Sequence, residues 1–180
     1  INNEQTKANF ITTRFGNVFG SSGSVGPIFS KQIKAGGPLT LTHPDMERYF
    51  MTLTQACELV LEAGTMGTIG EMFVFEMGVP IRIIDLAKAM IVAAGLQPES
   101  EIKIATTGIR PGEKLKEELL TATEVLHATS HPNIKKVVTE KRKDSNAIKQ
   151  KIDLFLRELA QQPTRDILLN LKKLVPEFRN

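Results

Sequence analysis

An α/β fold with an appended helical tail is predicted by three features of this 180-residue chain. Between residues 10 and 120, short runs of β-branched and aromatic residues alternate with stretches of helical periodicity. Glycine and proline punctuate these runs, as at Gly36-Gly37-Pro38 and Arg110-Pro111-Gly112. From Thr121 onward the alternation gives way to one brief extended piece and two amphipathic helices. The expected division is therefore 1–120, carrying the sheet, and 121–180, mostly helical.

Taken in order, residues 10–15 (Phe-Ile-Thr-Thr-Arg-Phe) predict a strand. Residues 16–27 are too rich in glycine and serine for a regular element. Pro27 suits the first turn of a helix over 28–35, which Gly36-Gly37-Pro38 would end. Leu39-Thr40-Leu41 is a short strand, and 49–52 an extended piece. Thr54 is placed to cap a helix ending at Gly64. A strand over 71–75 follows, then a helix over 83–94 with Ile84, Ala87, Met90, Ile91 and Ala94 on one face. Residues 102–105 form another strand, and 113–120 a helix-like run. In the tail, 134–138 is extended, and helices over 147–160 and 164–174 are separated by Pro163.

Composition excludes several classes. With 41% apolar and 24% charged residues the chain is an ordinary globular protein that can bury one good core. No apolar run approaches the roughly 20 residues that span a bilayer. A single cysteine, Cys57, rules out an internal disulfide, fits a reducing compartment and is expected to be a buried structural thiol. The chain opens Ile1-Asn2-Asn3 with no leader pattern, so a piece of a longer protein is expected. The net charge of +3 is uneven. Residues 1–120 hold 11 Lys+Arg and 13 Asp+Glu (−2), leaving 12 and 7 (+5) of the totals 23 and 20 for 121–180. With one tyrosine and no tryptophan, the basic cluster Lys135, Lys136, Lys141, Arg142 and Lys143 has little to stack on bases, and no nucleic-acid partner is expected. It reads as a solvated face, with an anionic membrane surface or acidic partner as the alternative.

Three polar clusters carry candidate chemistry. The first runs from Arg14-Phe15-Gly16-Asn17 into Gly20-Ser21-Ser22-Gly23-Ser24-Val25, a small-residue loop leaving a strand, where open α/β sheets hold ligands. Its backbone N–H groups and the Asn17 amide suit phosphate oxygens, although a mobile surface loop explains the same spacing. It is neither a Walker loop nor a dinucleotide turn. The second is Thr42-His43-Pro44-Asp45-Met46-Glu47-Arg48, in which Arg48 can clamp an anion or pair with a carboxylate, and His43 is a loop residue. The third is Arg110-Pro111-Gly112-Glu113-Lys114: an arginine fork at a tight corner, backed by a helix start with unpaired N–H groups. Glu113 could serve that helix dipole, pair with Lys114 or Lys116, or accept sugar hydroxyls. His127 and His131 lack Cys or Asp neighbours, so no metal site is expected. No nucleophile-base pair or carboxylate dyad is recognisable.

Together, Arg14–Val25, Thr42-His43-Pro44, Arg48-Tyr49-Phe50-Met51-Thr52, Arg110–Leu115 and the closing Leu174-Val175-Pro176-Glu177-Phe178 resemble the CapD-like polysaccharide biosynthesis proteins, UDP-N-acetylglucosamine 4,6-dehydratases of the extended short-chain dehydrogenase/reductase superfamily. The resemblance covers the C-terminal portion of a member. It implies the end of a Rossmann-type sheet plus a smaller substrate-binding subdomain, and an enzyme-bound NADP or NAD that takes hydride from C4 of the sugar and returns it to C6 after water is lost. Phe15 and Asn17 would lie at the cofactor; Asn17, Ser21, Ser24 and Val25 would approach the nucleotide diphosphate. Leu39, Thr40 and Leu41 would run beside the uracil, Arg48 and Arg110 would clamp the pyrophosphate, and Glu113 would accept a ribose hydroxyl. The family's glycine-rich dinucleotide turn, Thr-Asp-Lys segment and Tyr- or Met-x-x-x-Lys helix are absent from these residues, so no catalytic residue is assigned. The resemblance further implies a homo-oligomer in the cytoplasm or on the cytoplasmic membrane face. Related readings are an epimerase or reductase on the same scaffold, or a non-catalytic nucleotide-sugar-binding module.

Overall fold

The computed structural model describes residues 8–139, 145–159 and 164–175. Expectations for residues 141–143, 160, 163 and 176–178 fall outside them. The chain divides into two compact units, one of residues 1–109 and 114–139, the other of 110–113 and 140–180.

The larger unit begins with strand β1 (Thr12–Arg14), a two-residue strand β2 (Asn17–Val18) and helix α1 (Val25–Lys34). Strands β3 (Leu39–Leu41), β4 (Glu47–Arg48) and β5 (Phe50–Met51) lead to helix α2 (Leu53–Met66). Then come β6 (Met72–Phe75), β7 (Ile81–Arg82), α3 (Ile83–Ala93) and β8 (Ile104–Thr106). A hairpin of β9 (Glu124–Ala128) and β10 (Ile134–Thr139) completes it. The main sheet has four strands in the order β1-β6-β10-β9, with β1 parallel to β6 and β10 antiparallel to both neighbours. Parallel pairs β2-β5 and β3-β8 and the antiparallel pair β4-β7 stand apart from it.

Two cores follow from the apolar patterning. The interior strand β6 is a continuous apolar run, and Phe73, Val74 and Phe75 are all buried, as expected for a strand covered on both faces. Ala56, Leu59 and Ala63 of α2 pack with Phe73, Phe75 and Ile134. The second core joins Phe29 of α1, Leu39 and Leu41 of β3, and Ile83, Ala87 and Ile91 of α3. The helical face expected around Ala87 and Ile91 is therefore the packed one, although Ala94 is exposed.

Several local expectations are corrected. Thr52, not Thr54, caps α2: its hydroxyl accepts from Gln55 N (3.2 Å) while Gln55 Oε1 accepts from Thr52 N (3.0 Å), a reciprocal capping box. The helix continues past Gly64 to Met66, which packs against the α2–β6 core, and Gly67 N closes the last turn on Ala63 O (2.9 Å). Cys57 is exposed; it lies one residue, about 100° of helix, beyond the buried Ala56. Residues 113–120 form bends and irregular chain rather than a helix. The Leu115 carbonyl accepts from Glu47 N (2.9 Å) and Arg48 Nη1 (3.1 Å), and the Leu119 carbonyl from Arg14 Nη1 (3.3 Å). Long-range donors thus take carbonyls that a helix would have used. Strand β9 was not foreseen: Glu124 and His127 are poor strand formers, and pairing with β10 supplies the extended state.

In the smaller unit, α4 (Ser145–Leu159) and α5 (Thr164–Leu174) match the two amphipathic helices expected in the tail.

Candidate functional site

The loop leaving β1 is pinned at its start. Phe15 stacks on Phe75 with ring centroids 5.3 Å apart and planes within 5°. A Cβ at Gly16 would lie 2.8 Å from both Tyr49 Cβ and Tyr49 O, so only glycine permits this approach. Asn17 N then donates to Tyr49 O (2.8 Å) and Phe19 N to Met51 O (2.8 Å), building β2 against β5. Ser21 N donates to Val18 O (3.2 Å) and Ser24 N to Ser21 O (3.0 Å), closing successive turns through Gly20 (φ 80°) and Gly23 (φ 76°). Backbone hydrogen bonds thus order the loop that the sequence left open between a ligand cradle and a mobile segment. Asn17 is half-buried in β2, and Ser21 is exposed at a turn. Ser24 is the N-cap of α1, with no side-chain cap bond, and Val25 opens its first turn. The Ser24 hydroxyl oxygen is buried with no hydrogen-bond partner among the described residues.

Strand β3 turns its leucines into the core. Leu39 and Leu41 are 0% and 4% exposed, locked in the α1–α3 core. Thr40 points the other way, and Gln32 of α1 grips it twice: Gln32 Nε2 donates to Thr40 Oγ1 (2.7 Å) and Thr40 N donates to Gln32 Oε1 (3.1 Å). Sequence reasoning missed Gln32; its polarity at an inward helical position next to a strand was the available signal.

Arg48 sits in β4, where Nη1 donates to Glu47 O (2.7 Å) and Leu115 O (3.1 Å). Strand β3 makes the matching bond on the other side of the corner: Thr107 N donates to Leu41 O (2.9 Å). Thr107 and Leu115, bonded to β3 and β4, both belong to the larger unit, whereas residues 110–113 fall in the smaller one. Within the corner, Glu113 N donates to Arg110 O (3.0 Å) and Arg110 N to Glu113 Oε2 (3.2 Å), so a closed turn replaces the expected helix start. Gly112 adopts φ 80° there. The lysines expected near Glu113 bond elsewhere: Lys114 to Glu118 (3.4 Å) and Lys116 to Glu47 (3.3 Å). His43 accepts from Asp45 N through Nδ1 (3.1 Å), a loop-closing role.

Two acidic groups are perturbed. The Arg14 guanidinium holds the Glu124 carboxyl below its ordinary range, against a smaller opposing effect of burial. Lys136 does the same for Glu71, and Thr68 N reinforces it. Both pairs tie the sheet together, Arg14 to β9 and Lys136 to the entry of β6. At the carboxyl ends of β1 and β6, where open α/β sheets hold ligands, lie two cavities of about 380 and 500 Å³.

Residues 1–139 match the profile of the family described as polysaccharide biosynthesis protein. The chain belongs to that family. It is 44% identical over 171 residues to the capsular polysaccharide biosynthesis protein CapD of Staphylococcus aureus, an alignment covering 95% of this chain and 28% of that protein. It is 35% identical over 192 residues to a UDP-glucose 4-epimerase of Rickettsia bellii, covering 99% of this chain and 54% of that protein. The structure resembles the X-ray structure of Pen from Bacillus thuringiensis with a TM-score of 0.64 and 35% identity, over 76% of this chain and 42% of that one. The chain thus spans roughly a quarter to a half of the length of these relatives. Its α/β architecture is that of the C-terminal portion of an extended short-chain dehydrogenase/reductase.

Proposed function

We propose that this chain is the substrate-binding portion of an NAD(P)-dependent UDP-N-acetylglucosamine 4,6-dehydratase acting in polysaccharide biosynthesis. The observation that carries the reading is the family match over residues 1–139, together with the buried Ser24 hydroxyl at the head of α1 that lacks a partner among the described residues. In this reading Arg48 and Arg110 clamp the pyrophosphate with charge-assisted hydrogen bonds. Asn17, Ser21, Ser24 and Val25 line its approach, and the buried Ser24 hydroxyl receives there the hydrogen-bond partner it lacks among the described residues. Leu39 and Leu41 face the core, so recognition of the base by β3 runs through backbone atoms and Thr40. Glu113 accepts a ribose hydroxyl.

The residues present also fit a nicotinamide cofactor at one edge. Phe15, its ring fixed on Phe75, leaves its backbone at the carboxyl end of β1, next to Asn17. The cofactor supplies hydride transfer when bound; this chain's residues hold and orient the sugar nucleotide. The functional division we propose is 1–120 for ligand binding and 121–180 as an extension, in an oligomer at the cytoplasm or its membrane face. No described helix is long and apolar enough to cross a membrane. A UDP-glucose 4-epimerase among the relatives favours, as a second reading, an epimerase on the same scaffold.

Incubating the purified chain with UDP-N-acetylglucosamine and NADP tests the assignment of roles. Binding of the nucleotide sugar without a 4-keto product is expected. A 4-keto product would refute the claim that catalytic residues lie outside this sequence, and absence of binding would refute the function itself.

A further inference from the structure

We propose that Glu117 determines sugar specificity, its carboxylate accepting a hydrogen bond from a hydroxyl or amide N–H of the hexose. This rests on the nucleotide-sugar reading above. Residues 117–120 line both cavities at the carboxyl ends of the parallel strands, one against Val74 and Phe75 of β6 and one against Thr13 and Arg14 of β1. Arg14 Nη1 secures this strap at Leu119 O (3.3 Å), and Thr121 N secures it at Glu124 Oε2 (2.8 Å). Glu117 belongs to both linings, and its Oε2 is buried with no hydrogen-bond partner among the described residues.

A carboxylate oxygen removed from water without a donor is unfavourable, and more than about 90% of buried polar groups in folded proteins find a partner. Such an oxygen at a cavity wall calls for a donor from the ligand. The cavity beside β6 identifies the chemistry. Its volume of about 380 Å³ falls in the range that holds a small organic molecule. Tyr49, Met77, Leu119 and Leu126 give it largely apolar walls, while Glu76, Glu117, Glu118 and Lys135 stand at its polar positions. A pyranose has this character, with C–H faces for the apolar walls and an edge of donors for the carboxylate. Three carboxylates against one lysine make the lining net acidic, which disfavours an anionic group here and suits the hydroxyl and amide donors of a neutral hexose.

Parallel calorimetric titrations of the 180-residue chain with UDP and with UDP-N-acetylglucosamine test this, using wild type, Glu117→Ala and the isosteric Glu117→Gln. The wild type should bind the sugar nucleotide more tightly than UDP. Glu117→Ala should reduce that preference about tenfold, with a smaller loss for Glu117→Gln, while UDP affinity stays within a factor of two. A purely structural carboxylate would alter folding and leave the preference intact. An unchanged preference in either folded variant overturns the assignment, as does a wild type that binds both ligands equally. A wild type that binds neither overturns the nucleotide-sugar reading and this inference with it.

Discussion

Arg14 Nη1 lies 2.8 Å from Glu124 Oε2, joining the end of β1 to the first residue of β9 across the width of the four-stranded sheet. The Glu124 side chain is only 7% exposed, and Arg14 also donates to Leu119 O. One guanidinium therefore holds both the outermost strand and the strap over the cavities. Arg14→Ala should destabilise the chain by about 1–3 kcal/mol, because it leaves a poorly solvated carboxylate short of a donor. Denaturant unfolding of wild type and variant measures this; equal midpoints would show that the pair contributes nothing.

Acid should weaken the same sheet. Glu124 and Glu71 both have native pKa values lowered from the ordinary 4.5, chiefly by hydrogen bonds from Arg14 and Lys136 respectively. A depressed carboxylate stabilises the fold fully above its unfolded pKa, and that contribution is lost as pH falls through the native value. Stability should therefore be flat above about pH 5.5 and decline from about 4.5 downward. Glu124→Gln should flatten part of that decline in melting curves taken at successive pH values.

Loss of either arginine should weaken nucleotide-sugar binding. Arg48→Ala and Arg110→Ala should each cost about 1.5–3 kcal/mol, or roughly 10–150-fold in affinity for UDP-N-acetylglucosamine. Calorimetry decides, and a change under twofold in both variants would remove the clamp. Because Arg48 also bonds Leu115 O, Arg48→Lys separates the effects: a point charge should restore some affinity without the full fork geometry.

Gly16→Ala should be destabilising by about 1–3 kcal/mol, because the added methyl would meet Tyr49 backbone and side chain at 2.8 Å. Gly20→Ala meets nothing within 4 Å but must hold φ near 80°, so it should cost about 1 kcal/mol through backbone strain alone. Comparing the two melting temperatures tests whether close approach outweighs conformational freedom in this loop.

Gln32→Ala should loosen β3. It removes both bonds to Thr40, costing about 1 kcal/mol each at most. Faster amide exchange at Thr40 with little change at Leu39, whose N donates to Lys103 O, would locate the effect.

Family, fold class and most element positions were legible in the local sequence. The strand Leu39–Leu41 and the helix Thr164–Leu174 have the residue bounds that their patterns imply. Periodicity and Gly-Pro punctuation are short-range signals, and these elements obey short-range physics. The motif order Arg14–Val25, Arg48–Thr52 and Arg110–Leu115 likewise sufficed to recognise the family. What only the tertiary structure decided lies where distant groups compete with local preference. Residues 113–120 read as a helix, yet Glu47, Arg48 and Arg14 draw the Leu115 and Leu119 carbonyls away from helical partners. Glu124–Ala128 reads as no element, yet pairing with β10 makes it a strand. Cys57 reads as core, yet the rotation of α2 about Ala56 and Leu59 turns it outward. In each case the sequence carries the local propensity, and hydrogen bonds or packing from residues far along the chain outweigh it.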